Sequence, residues 1–298
     1  MNETLIQEQL KAGVQAHVRG NLSAAESAYK AVITLDEKNA TAHNNLGFIY
    51  GQKSEWKNAI SHLQTATEIK PDYATALSNL GQIYFSIGEQ QKGIEMLEKA
   101  VTLDDQDPQN WHNLGRISLL IGNFQRAEYA WWRAHNINPK NSHYSVNLAI
   151  SITAQRRFAE AESIYQSVLS VEPNNFTALL QLGICWLLMQ NYGNAKNALL
   201  TAYRINSQDA SVLRHLFLVE LSLGDKKMAV YYMQKLLDIF PQDIESRIDY
   251  AYLLIDLKEH SLLMEQRQLI DLAENTSTRK SHCLNAMMSV LNQTESEI

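Results

Sequence analysis

The sequence predicts an all-α solenoid of paired helices, and three observations predict it. A set of residue types returns every 34 positions along most of the chain. Within each period apolar residues recur at helical spacing, in two runs separated by a turn. All five prolines (Pro71, Pro108, Pro139, Pro173, Pro241) fall at junctions between periods, where a missing backbone N–H harms no helix interior.

The period is read most directly from Leu46-Gly47, which returns as Leu80-Gly81, Leu114-Gly115, Leu148-Ala149 and Leu182-Gly183. A small residue follows each pair at a fixed offset: Ala59, Gly93, Ala127, Ala161 and Ala195. Two helices cross closely only where no side chain intervenes, so these positions mark the contact within each pair. Extending the register places repeats at 6–39, 40–73, 74–107, 108–141, 142–175, 176–209, 210–243 and, degenerately, 244–277.

Taken in order, each repeat reads as a helix, a turn and a helix. In the second repeat Leu46, Ile49 and Tyr50 form the apolar stripe of the first helix, and Ile60, Leu63 and Ala66 that of the second. Breaks between paired helices are expected at Gly20, Gly88, Gly122 and Gly224, where glycine adopts the left-handed cap conformation freely. The first repeat carries Gln9 and Ala16 where bulkier residues are usual, as suits the wetter end of an array. The seventh departs from the pattern at Phe217 and Glu220. Beyond the eighth, Leu284, Met287, Met288 and Leu291 predict a capping helix over 278–292, followed by an acidic tail, Thr294 to Ile298, expected to fray. The whole of 1–298 is expected to form one array.

Composition limits the function classes. Hydrophobic residues make up 45% and charged residues 19%, enough apolar material for a large core. A net charge of −6 offers no electrostatic footprint for nucleic acid or anionic membrane. The two cysteines, Cys185 and Cys283, are too few for a disulfide framework and too far apart for a metal motif, which suits a reducing compartment. The N-terminal residues lack the unbroken apolar run of a signal peptide. A cytoplasmic location is therefore expected, with no membrane insertion and no cofactor. No HExxH, phosphate-binding glycine loop, GxSxG elbow or CxxC pair is present, and the histidines fall without ligand-like spacing. The chain is not expected to be an enzyme.

The repeat at 108–141, with Trp111, Leu114, Gly115, Ala127, Ala134 and Pro139, resembles the tetratricopeptide repeat family, and the pattern covers nearly the whole chain. The resemblance implies a right-handed superhelix of about eight repeats whose first helices line a concave groove. It also implies a protein or peptide partner. The sixth position of those helices reads Asn45, Asn79, Asn113, Asn147 and then Gln181. A side-chain amide both donates and accepts, so such a ladder suits the backbone of an extended peptide. Four hydrogen bonds contribute only about 2–6 kcal/mol, short of the roughly 8 kcal/mol of micromolar binding. The groove must therefore add apolar contacts, for which Phe48, Ile150, Ile184, Leu218 and Tyr252 are candidates.

Other positions carry weaker signals. Lys11, Arg116 and Arg214 are scattered along the same face, which argues against a clamp for a partner's C-terminal carboxylates. His112, Arg116 and His143 form a candidate electropositive patch. On the fourth repeat's second helix Tyr129 and Trp132 share one face, a candidate convex surface for a partner or for self-association. Glu220 takes a core-facing position and is expected to pair with Arg247 of the next repeat. The leading expectation is an interaction scaffold. A peptide-sensing regulator and an assembly factor for a pilus or secretion system are the alternatives. The start of repeat one at residue 6 argues against an N-terminal effector segment, and the absence of an anchor argues against the assembly role.

Overall fold

The computed structural model describes residues 2–272 and 277–295, with side chains to Leu291, and all of its regular structure is helical. The helices cluster into two compact units, 1–157 and 158–298. The division falls between the two helices of the fifth 34-residue period.

The first unit contains α1 (Asn2–Val18), α2 (Leu22–Leu35), α3 (Ala40–Gln52), α4 (Trp56–Ile69), α5 (Ala74–Ser86), α6 (Gln90–Leu103), α7 (Pro108–Leu120), α8 (Phe124–Ile137) and α9 (Ser142–Ala154). The second contains α10 (Phe158–Val171), α11 (Phe176–Leu188), α12 (Tyr192–Ile205), α13 (Ala210–Leu223), α14 (Lys226–Ile239), α15 (Ile244–Leu257), α16 (His260–Asp271) and α17 (Thr278–Glu295). Within each unit, helices neighbouring in sequence pack as helix-turn-helix pairs.

Local chemistry sets the boundaries. Asn21, Asn39, Asn123, Asn175 and Asn191 cap helix N-termini, their side chains accepting from a backbone N–H three residues on. Asp209, Asp225 and Asp243 do the same in the last repeats. The turn inside each pair has one recurrent feature. A residue with positive φ stands at Gly20, Ser54, Gly88, Gly122, Arg156, Gln190, Gly224 and Lys258, 34 residues apart each time. Half of these are the glycines expected to break the helices. The other half are L-residues at φ between 58° and 63°, a conformation that costs each of them roughly 1–2 kcal/mol.

Packing explains the small residues. A Cβ added at Gly81 would lie 2.7 Å from the carbonyl oxygen of Gly93 and 2.8 Å from Leu97, so α5 and α6 meet backbone to backbone. Around such crossings Leu46, Ile49, Leu63 and Leu80 close one core, and Leu97, Trp111, Leu114 and Ile117 the next. In the second unit Leu199, Leu213, Leu216, Leu236, Leu254 and Leu263 belong to one continuous core. The expected capping stripe is modified. Met287 and Leu291 are buried with Cys283, whereas Leu284 is half-buried and Met288 exposed. The tail beyond Glu295 lies outside the described residues.

Candidate functional site

The asparagines at the sixth position are used differently from a free ladder. Asn79 on α5 donates to Asn44 Oδ1 on α3 at 2.9 Å, and Asn113 on α7 donates to Ser78 Oγ on α5 at 2.9 Å. Each bond spans 35 residues and ties one first helix to the preceding one. Asn44 donates in turn to Asn45 Oδ1 at 3.1 Å, and Gln109 to Asn113 Oδ1 at 3.0 Å. Asn113 is 5% exposed, which corrects the expectation that it faces a ligand. Successive first helices run close enough for a short amide to bridge them, and a buried amide must be satisfied. Asn147 donates to the His143 carbonyl of its own helix at 2.9 Å, and Gln181 on α11 is half-buried.

The ninth position carries the accessible side chains. In the first unit these are Val14, Phe48 and Arg116, all exposed, with half-buried Gln82 between the last two and half-buried Ile150 on α9. A cavity of about 190 Å³ lies between α3, α5 and α7, lined by Phe48, Gln52, Asn79, Gln82, Ser86 and Arg116. Its floor exists because residue 51 is glycine: a Cβ there would stand 2.6 Å from Ile83 Cδ1. Arg116 Nη2 donates to Gln82 Oε1 at 2.9 Å, and desolvation draws its guanidinium below the usual arginine range. His17 packs edge-on to Phe48 at 5.4 Å and lies 3.2 Å from Gln52 Oε1.

In the second unit the ninth position is apolar throughout, with Ile184, Leu218 and Tyr252. Leu218, Leu221 and Tyr252 line a cavity of about 310 Å³ whose two carboxylates, Asp249 and Asp256, are paired with Arg279 and Lys226. Arg214 is also committed, 2.5 Å from Asp243 Oδ2.

The electropositive patch is smaller than expected. His112 is half-buried, and its Nδ1 accepts from Trp131 Nε1 at 3.2 Å. Burial, with added repulsion from His143 and Arg116, holds it down to about 4, so it is neutral near pH 7. Arg116 is left as the permanent cation of that patch.

Two further positions resolve clearly. Glu220 is 0% exposed and pairs with Lys196 of α12, not with Arg247. Lys196 approaches from the neighbouring second helix, while Arg247 turns inward to Gln266 Oε1 at 2.5 Å and to the Pro241 carbonyl at 2.7 Å. Tyr129 and Trp132 are 50% and 48% exposed and stack on each other with ring centroids 6.1 Å apart. Tyr129 also packs edge-on to Trp111 at 5.6 Å, so half of that patch is anchored in the fourth repeat. The sequence had no signal for the polar pair inside the second repeat, where His43 Nδ1 and His62 Nδ1 lie 2.9 Å apart.

Models of the tetratricopeptide repeat match residues 17–54, 38–106 and 153–215, together about half of the chain. The chain belongs to the tetratricopeptide repeat family. Solved members share its fold. A tetratricopeptide repeat protein from Parabacteroides merdae is 15% identical over 96% of this chain and 99% of its own, with a TM-score of 0.62. PilF from Pseudomonas aeruginosa is 21% identical over 71% of this chain and 96% of its own, at 0.59. YrrB, described as a tetratricopeptide repeat protein with an unusual peptide-binding site, is 19% identical over 64% of this chain and 98% of its own, at 0.53. No curated protein matches the sequence. Among the described residues no helix is long and apolar enough to cross a membrane, and no cluster of acidic, histidine or cysteine side chains is arranged to hold a metal ion. Members of this family act through protein partners.

Proposed function

We propose that this tetratricopeptide repeat protein is a non-enzymatic cytoplasmic scaffold that holds an extended segment of a partner against its first helices. The observation that carries this reading is the ninth-position row of the first unit. There Phe48, Gln82 and Arg116 border one cavity, with an apolar ring, an amide and a guanidinium side by side. Neighbouring helices stand about 8–10 Å apart, and an extended chain in the polyproline-II conformation advances about 3.1 Å per residue with three residues per turn. A bound segment of that form would therefore meet successive first helices with every third side chain. In this reading Asn79 contributes its remaining acceptor, whereas Asn45 and Asn113 set the helix spacing that forms the row. Asn147, Gln181 and Ile150 lie on the same helix face, as flanking contacts within their own units.

Photo-crosslinking tests the proposal. A benzophenone amino acid placed at Phe48, Gln82 or Ile150 should capture the same partner segment, and one placed at Lys57 on α4 should not. The reading fails if the first three positions capture nothing above the Lys57 control.

A second surface rests on a separate observation. The stacked pair Tyr129 and Trp132 is exposed on α8, and paired aromatic rings of that kind are favoured at interfaces. We propose it as an auxiliary contact, for a partner or a second copy. Crosslinks from position 132 should be lost in a Tyr129→Ala variant.

A further inference from the structure

The second unit contains a cavity that the groove reading does not use. It measures about 290 Å³ and lies between α14, α15 and α16. Its buried wall is formed by Arg247, Tyr250 and Gln266, and its exposed rim by Asp238, Glu265 and Leu269. Arg247 occupies the fourth position of its repeat, where four other repeats place Leu77, Trp111, Leu179 and Leu213 and three place the uncharged polar residues Gln9, His43 and Ser145. An arginine there buries a full positive charge in the place of a core side chain.

That charge is incompletely compensated. Arg247 is 5% exposed, and its guanidinium donates to two neutral oxygens, Gln266 Oε1 and the Pro241 carbonyl. Its Nε has no hydrogen-bond partner. Among the described residues no carboxylate stands within ion-pair distance of it. The nearby Asp243 is engaged by Arg214 and by the Ser246 hydroxyl. At the rim, no basic side chain among the described residues stands within ion-pair distance of Asp238 or Glu265, although Arg247 feels the Glu265 charge through space. A buried guanidinium without a counter-ion is costly.

The arrangement selects by polarity. A simple anion would be attracted by the guanidinium but repelled at the rim, and a simple cation would meet the reverse. A small dipole with its negative end inward satisfies both. Leu237 and Leu262 supply an apolar wall beside this axis. We propose that the cavity binds an α-aminoacyl group with an apolar side chain. Its carbonyl or carboxylate oxygen lies against the Arg247 guanidinium, its ammonium lies at Asp238 and Glu265, and its side chain lies against the leucines. A free amino acid and the N-terminal residue of a peptide both present this chemistry. The cavity lies at the lower end of the size range of ligand pockets, which suits a single residue.

Isothermal titration calorimetry on the full chain tests the proposal with three probes: L-leucine, the tripeptide Leu-Gly-Gly and N-acetyl-L-leucinamide, which lacks the ammonium. At least one of the first two should bind, and the acetylated probe at least tenfold more weakly. Leucine binding tenfold tighter than the tripeptide identifies a free amino acid as the ligand, and the tripeptide binding as tightly or more tightly identifies a peptide N-terminus. Because Arg247→Leu changes the core, the deciding variant is the exposed rim pair Asp238→Asn with Glu265→Gln. It should keep the wild-type melting temperature and lose affinity at least tenfold. Absence of binding by both leucine and the tripeptide, equal binding of the acetylated probe, or full affinity in the rim variant would overturn the proposal. A Phe48→Ala, Arg116→Gln variant should bind these probes like wild type, which separates this site from the groove.

Discussion

Lys196 holds the Glu220 carboxylate inside the second unit, its ammonium 2.9 Å from both carboxylate oxygens. Only Oε2 has hydrogen-bond geometry; Oε1 is an ion-pair contact without one. The carboxylate stands where the repeat pattern calls for an apolar residue, so its stability depends on one partner. The negative charge is also felt by Tyr232, whose hydroxyl is pushed up to about 12, first by burial and then by Glu220.

Removing that partner should be costly. Lys196→Met leaves a buried unpaired carboxylate, and breaking such a pair typically costs about 3–5 kcal/mol. The partial exposure of Lys196 places the expected loss near the lower end. Urea denaturation should show it, and Lys196→Met with Glu220→Leu should recover most of the stability. Equal midpoints for wild type and the single variant would show that the pair carries no weight.

The left-handed turn residues predict gains. Ser54, Arg156, Gln190 and Lys258 adopt positive φ without being glycine. Replacing any of them with glycine relieves roughly 1–2 kcal/mol of strain but adds about 0.5–1 kcal/mol of unfolded-chain entropy. A net stabilisation of about 0.5–1 kcal/mol per site is expected by chemical denaturation, whereas Gly122→Ala should destabilise.

The sixth-position asparagines should separate by role. Asn113→Ala removes a buried bond to Ser78 and strands its hydroxyl, for an expected loss of about 1–2 kcal/mol. Asn147→Ala removes only a contact within its own helix, and alanine is the better helix former, so stability should hold or rise. Melting temperatures of the two variants decide this.

Acid should weaken the first unit before carboxylates titrate. His112 sits at about 4 in the fold, below the 6.5 of an unperturbed imidazole, because burial disfavours its charged form. Between those values the unfolded chain binds more protons, so stability is complete above about pH 6.5 and is lost as pH falls towards 4. His62 is shifted in the same direction, first by burial. With partial exposure discounted, His112 should cost roughly 1–2 kcal/mol between pH 7 and 5. A His112→Gln variant should show a flatter stability profile over that range.

The backbone-to-backbone crossing of α5 and α6 should tolerate no added atom. Gly81→Ala forces a methyl against a backbone carbonyl, with an expected loss of about 1–3 kcal/mol. Gly193→Ala meets nothing within 4 Å and should be neutral or stabilising. Thermal unfolding of the two variants checks the contrast.

Much of the fold was legible because its determinants are local and periodic. Leu46-Gly47 and its successors, the junction prolines and the small residues at 59, 93, 127, 161 and 195 each encode a helix boundary or a crossing in residue type alone. The left-handed turns were half legible. Glycine announces them at 20, 88, 122 and 224, but nothing in Ser54 or Gln190 does, since there the flanking helix pair imposes the strain.

The site was legible by position and not by role. Register alone placed Asn79 and Phe48 on one helix face. Which atoms of that face remain available depends on how near the next helix comes, and that distance is set by packing. It consumed the donors of Asn79 and Asn113, neutralised His112 beneath Trp131, and gave Glu220 to Lys196 in place of Arg247. The sequence by itself determined the helices, their pairing and the 34-residue register, because these follow from short-range sterics and a repeated apolar pattern. Only the tertiary structure decided which polar groups are spent internally and which are left facing a cavity, because hydrogen bonds and ion pairs are formed by side chains that packing brings within about 3 Å of each other.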